Sequence, residues 1–167
     1  MPDPAELLLV ARTLSDANVS PPSDAALRRA VSTVYYALFH KVLRAAARRF
    51  MGPGMEASAG YALLYRSFDH GHMRAICQAL NVTTLRDTLK HQLGRSAVSP
   101  HMREFADSFI ALQELRHLAD YDPLVEFQPS DVASLVDAAS VAMAAFDRVL
   151  PSEQADVLAL MMVRARG

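Results

Sequence analysis

Apolar residues recur along this chain at intervals of three and four, the spacing of one helix face. Strict apolar–polar alternation, the mark of a half-buried strand, is nearly absent. Leu27, Val31, Val34, Leu38 and Val42 form one such stripe and predict a long helix over residues 25–50. Ser23 or Asp24 supplies its cap, and "MGPG" stops it. Met102, Phe105, Phe109, Leu112 and Leu115 form a second stripe, started by Ser99 and Pro100 and ended near Ala119 ahead of Pro123. A third long helix is predicted over residues 130–149.

Shorter helices are predicted over 5–17, 61–67 and 73–80, then from a Thr83 or Thr84 cap to Leu93, and over 152–163. "VSPPSD" separates the first helix from the second, because proline cannot continue a helix and restrains its predecessor. The expectation is an all-α domain, a helical bundle of about four to six helices. It occupies residues 1–167, with 1–20 as an N-terminal helix and 151–167 as a C-terminal helical extension.

Composition agrees with this picture. The chain has 167 residues, 51% hydrophobic and 21% charged, with 6 glycines and no tryptophan. That length can bury a core, and that balance is not one of disorder. The longest apolar runs fall short of a membrane span. The acidic start "MPDPAELLLV" is unlike a secretory leader, and a lone Cys77 has no partner for an internal disulfide, so a reducing cytoplasm is the expected compartment.

The net charge of −1 conceals an asymmetry. Residues 1–103 carry 13 Lys/Arg against 7 Asp/Glu, and residues 104–167 carry 4 against 11. Between Asp24 and Glu56 there is no acid, while Arg28, Arg29, Lys41, Arg44, Arg48 and Arg49 fall there. Such a stretch either attracts phosphates or faces the acidic half of the chain, within one molecule or across a dimer.

Two stretches carry candidate chemistry. In "RRAVSTVYYALFHKVLR", residues Arg28, Ser32, Tyr36, His40 and Arg44 share one face at i, i+4 spacing. They either line a site or are satisfied by buried hydrogen bonds between helices. In "ELRHLADYDP", Arg116 continues the inward stripe of Phe109 and Leu112 and requires a carboxylate, a carbonyl or a ligand. Asp120, four residues on, can pair with it. The alternative is a guanidinium that faces a cleft and binds phosphate. "DHGH", with Asp69, His70 and His72, has metal-ligand residue types but no evident fourth ligand, and reads as an exposed turn. No metal and no cofactor are expected. Cys77 reads as core, and "LALMMV" as a soft surface able to pack on a partner.

Together, "RRAVSTVYYALFH" and "LRHLADYDP" resemble the HEPN family of small helical domains, whose members often carry a Tyr-Tyr-Ala-hydrophobic-Phe-His run in a long early helix and an Arg…Ala-Asp-Tyr run at the end of a later one. The resemblance spans roughly residues 24–148 in order of elements, with detailed matches in these two runs. It implies a four-helix core that commonly forms a homodimer. Many members are metal-independent ribonucleases, several of them toxins with an antitoxin partner protein. In those, an arginine stabilises charge and a histidine four to six residues later moves a proton.

Arg116 matches that arginine, but Tyr121 stands five residues on, and His117 is an adjacent residue pointing about 100° away on a helix. A phenol with a pKa near 10 is a poor proton shuttle at neutral pH. His40 supplies an imidazole only if its helix faces Arg116. The sequence therefore points first to a binding module for RNA, a nucleotide or a partner protein, with Arg28, Arg29, Ser32, Tyr36, His117 and Asp120 as ligand-contacting candidates. The alternatives are a divergent ribonuclease using Arg116, Tyr121 or His40, and an interaction subunit whose polar cluster only locks helix packing.

Overall fold

The computed structural model describes residues 2–18 and 20–163, and it is all-helical, with no strand among those residues. Eight helices occur there: α1 (Pro4–Leu14), α2 (Asp24–Met51), α3 (Ala59–Arg66), α4 (His70–Leu80), α5 (Asp87–Leu93), α6 (Pro100–Tyr121), α7 (Pro129–Arg148) and α8 (Pro151–Met162). The count exceeds the four to six expected because several short helices are separate elements. The final residues of the expected C-terminal extension, 164–167, lie outside the described residues.

The caps explain the boundaries. Ser23, Ser58 and Ser99 each accept a backbone N–H in the first turn of the following helix, at 3.2 Å in every case. α1 begins at an Asp3 cap followed by Pro4, and it ends at Leu14 rather than Ala17. There the Ser15 hydroxyl donates to the Ala11 and Arg12 carbonyls. Neither Thr83 nor Thr84 caps α5; it starts after Arg86 without a side-chain cap.

α2 ends at Gly52, whose φ of 90° and ψ of 164° lie where side chains are strained. An added Cβ there would meet no other atom. Gly52→Ala should therefore cost about 2 kcal/mol from backbone strain alone. Chemical denaturation would show this as a lower midpoint at unchanged slope.

α1, α2, α6 and α7 pack on one another as a four-helix core, and α2 is its centre. The expected stripe of Leu27, Val31, Val34, Leu38 and Val42 is buried, and so are Ala30, Tyr35, Ala37 and Phe39 around it. α6 supplies Met102, Phe105, Phe109 and Leu112, with Phe105 against Phe146 of α7 at 4.7 Å between ring centroids. Cys77 is buried in α4, as the apolar pattern predicted. In the "LALMMV" segment, Leu158 and Met161 are buried in the chain's own core, because α8 folds back onto α2, α4 and α5, while Leu160 and Met162 are half-buried and Val163 is exposed. No helix among the described residues is long and apolar enough to cross a membrane.

The charge asymmetry resolves largely within the chain. Lys41 pairs with Asp147, Arg12 with Asp137, Arg74 with Glu114, and Arg95 with Glu153 and Asp156, each joining the basic half to the acidic one.

Candidate functional site

The polar face of α2 meets a different neighbour at each turn. Arg28 donates from Nη1 to the Ala119 and Asp122 carbonyls, at 3.2 and 2.8 Å, and from Nη2 to the Val125 carbonyl at 2.5 Å. Its Nε lies 2.7 Å from Asp24. It is a cap on the C-terminus of α6 and the loop beyond, and those donors are already taken. Arg29 is exposed, without an ion pair among the described residues, and lies outside the groove described below.

Ser32, buried, donates to Asp120 Oδ1 at 2.6 Å. Asp120 Oδ2 is 2.7 Å from Arg116 Nε. That contact is coulombic, because the Nε–H is not aimed along it and makes no directional hydrogen bond. Arg116 Nη2 donates weakly to the Tyr36 hydroxyl, at 3.4 Å. The guanidinium carbon sits 5.9 Å from the Tyr36 ring centre and 5.8 Å from that of Tyr121. The His117 and Tyr121 rings are 4.9 Å apart on the same exposed helix face. Arg116 thus has both anticipated neighbours: it is paired to Asp120, yet its side chain is still 25% exposed.

Beside it runs a groove of 470 Å³ between α4 and α6, lined by Arg74, Gln113, Glu114, Arg116, His117 and Leu118. Nη1 of Arg116 has no protein partner among the described residues. Asp120 and the Tyr36 hydroxyl both lie along the Nε and Nη2 side of the fork.

His40 does not reach Arg116. Its Nδ1 bonds the Tyr65 hydroxyl of α3 at 2.5 Å, and the two rings stack at 5.6 Å. Arg44, the last member of the face, pairs with Asp3. His70 was missed as a member of this neighbourhood. "DHGH" is no exposed turn: Asp69 caps α4, its Oδ1 accepting the His72 N–H at 2.8 Å, and His70 opens the helix. The His70 ring stacks on Phe39 at 3.9 Å and bonds the Tyr35 hydroxyl through Nδ1 at 2.6 Å. An Asp cap ahead of Met73, Cys77 and Leu80 was the signal that could have found it. His72 donates from Nε2 to the Leu160 carbonyl of α8 at 2.9 Å, so no shared metal site forms there. Among the described residues, no cluster of His, Cys, Asp or Glu is arranged to hold a metal ion.

Burial pushes the Tyr65 phenol up to about 12 and the buried Tyr35 phenol higher still. Burial holds both His40 and His70 below the usual imidazole value, with His70 adding to the effect on His40 and Arg116 to that on His70. Comparison of the chain with protein-family models, with curated proteins and with solved structures finds no match.

Proposed function

We propose that the protein is a HEPN-like binding module that holds a single nucleotide, free or at the end of an RNA strand, in the Arg116 groove. The observation that carries this reading is the Arg116 fork, oriented by Asp120 and Tyr36 with its Nη1 unpaired among the described residues beside exposed aromatic rings. A guanidinium of that kind suits a phosphate, and the Tyr121 and His117 rings suit a base.

Charge argues for one phosphate rather than a strand. Only Arg74 and Arg116 among the groove's lining are permanent cations, and Arg74 is already paired with Glu114. Glu114 and Asp120 would repel a second phosphate. The basic residues of α2 offer no continuous track, since Arg28, Lys41, Arg44 and Arg48 each hold a carboxylate.

The reading is of binding without cleavage. His40 is tied to Tyr65, His70 to Tyr35, and the residue five after Arg116 is a tyrosine.

The test is anisotropy of a labelled short oligoribonucleotide carrying a 5′-phosphate, at low salt. Arg116→Ala should weaken binding about tenfold or more, since charge-assisted bonds contribute roughly 1.5–3 kcal/mol. Tyr121→Ala should cost about tenfold through lost stacking. Equal affinity for wild type and Arg116→Ala would remove the groove from the function. Cleavage by wild type in chelator, absent in Arg116→Ala, would make the protein a nuclease instead.

A further inference from the structure

A groove of 650 Å³ lies where the α1–α2 loop, the start of α2 and the α6–α7 loop meet. It shares no lining residue with the Arg116 groove, so its role is separable from nucleotide binding. Leu27 and Phe127 are its most buried lining, and Ala17, Pro21, Pro22 and Pro129 wall it. Its shape is built in. Proline stiffens the backbone of both walls. Arg28 holds the α6–α7 loop by the Ala119, Asp122 and Val125 carbonyls. Asp122 accepts the Leu124 N–H at 2.9 Å, and Asp131 accepts the Gln128 N–H at 2.7 Å. A groove whose walls are already fixed costs little ordering to occupy.

The lining is poor in donors and rich in acceptors. Its prolines have no N–H to offer. Arg28 is the one cation on it, and each of its three nitrogens is engaged by Asp24 or by a carbonyl. The two helix starts at the groove carry acids in their first turns, Asp24 in α2 and Asp131 in α7, which offset the dipoles an anion would use. Asp24 is 63% exposed, and Glu126 is exposed as well. Glu126 belongs to no helix, and its side chain has no hydrogen bond or ion pair among the described residues, so neither capping nor packing accounts for it. An adjoining groove of 390 Å³ shares Asp24, Arg28 and Pro123 and adds Asp120 and Asp122. These carboxylates repel a phosphate and suit a cation on an aliphatic stem. Leu124, in the same loop, is 88% exposed, and Tyr121, on the adjoining groove, is 66% exposed. Large apolar side chains beside a groove favour a protein segment over a small amine, which would leave them in water.

We propose that this groove docks an extended basic segment of a partner protein: a lysine or arginine lays its methylenes on Leu27 and Phe127, its charged head meets Asp24 and Glu126, and a neighbouring apolar side chain covers Leu124. Charge sets the specificity. An acidic segment meets repulsion, and an uncharged one desolvates Glu126 without giving it a partner. The carboxylates are at the rim, so binding weakens as salt rises.

Selection of short random peptides displayed on phage, with the full chain immobilised, reads the preference without assuming a partner. Lysine or arginine next to an apolar residue should be enriched. A synthetic copy of an enriched peptide, followed by anisotropy, should bind about tenfold more weakly to Glu126→Lys. Glu104→Lys makes the same charge change at an exposed position about 24 Å along α6 from Asp120, and its affinity should stay within about twofold of wild type. Should Glu126→Lys fail to fold, amide shifts of the wild-type chain decide. Peptide-induced changes grouped in residues 20–28 and 122–129 support docking, and changes grouped elsewhere overturn it. No enrichment, enrichment of acidic or uncharged peptides, or equal weakening by Glu126→Lys and Glu104→Lys also overturns it. So does spermidine shifting the same amides at the peptide's affinity, which would make the ligand a small polyamine. Concentration-dependent self-association that is lost in Glu126→Lys would make the occupant a second copy of the chain and overturn it too.

Discussion

Arg28→Ala should lower the melting temperature by roughly 6–12 °C, the shift for about 3 kcal/mol in a domain of this size. Arg28 gathers three carbonyl oxygens, Ala119, Asp122 and Val125, where α6 ends and the chain turns toward α7. A helix end leaves its last carbonyls without intrahelical donors, and one guanidinium reaches the segment from the second turn of α2. Bonds from a charged donor contribute about 1.5–3 kcal/mol each, but these are part-buried and act as a group, so the sum is well below three such values. The Arg28–Asp24 pair adds little, since Asp24 is 63% exposed. Arg28→Lys should recover only a fraction, because one ammonium cannot span the three acceptors with the planar fork's geometry. Calorimetry checks both variants. A loss below about 1 kcal/mol would mean that solvent replaces the guanidinium, and would return Arg28 to the set of residues open to a ligand.

That reassignment shows where sequence reading reached its limit. The long helices, the serine caps of α2 and α6, and the apolar stripes were legible because each depends on residues close in the chain. The face made by Arg28, Ser32, Tyr36, His40 and Arg44 was legible as a face for the same reason. Its partners were not. The end of α6 with Asp120 and Arg116, Tyr65 of α3, and Asp3 at the cap of α1 lie far from α2 in sequence, and only tertiary packing brings them to its successive turns. The pairing of Arg116 with Asp120 follows from i, i+4 spacing, whereas its position between two tyrosine rings depends on how α6 lies against α2. His70 was hidden by a different cause. Its glycine neighbour and two histidines imitate a turn, and the Asp69 cap outweighs them once Met73, Cys77 and Leu80 are buried.

Glu153 was hidden too, because a glutamate in the first turn of a short terminal helix normally serves the helix dipole from the surface. Here it is 4% exposed. Its Oε1 accepts the Ser99 backbone N–H at 2.8 Å, and its Oε2 faces Arg95 at 3.4 Å. Ser99 is also the cap of α6, so this one carboxylate ties the start of α8 to the start of the helix that carries Arg116. Glu153→Ala should cost about 3 kcal/mol, because it leaves a backbone donor and part of a guanidinium without their acceptor. Arg95 keeps Asp156 at 2.6 Å, which holds the loss below that of a fully orphaned buried charge. Glu153→Gln separates the two contributions. Its amide oxygen can still accept from Ser99, so roughly half the stability should return if the hydrogen bond dominates. Equal losses in both variants would place the effect in the charge on Arg95 instead. Urea unfolding of the two variants beside wild type makes that distinction through the midpoint at constant slope.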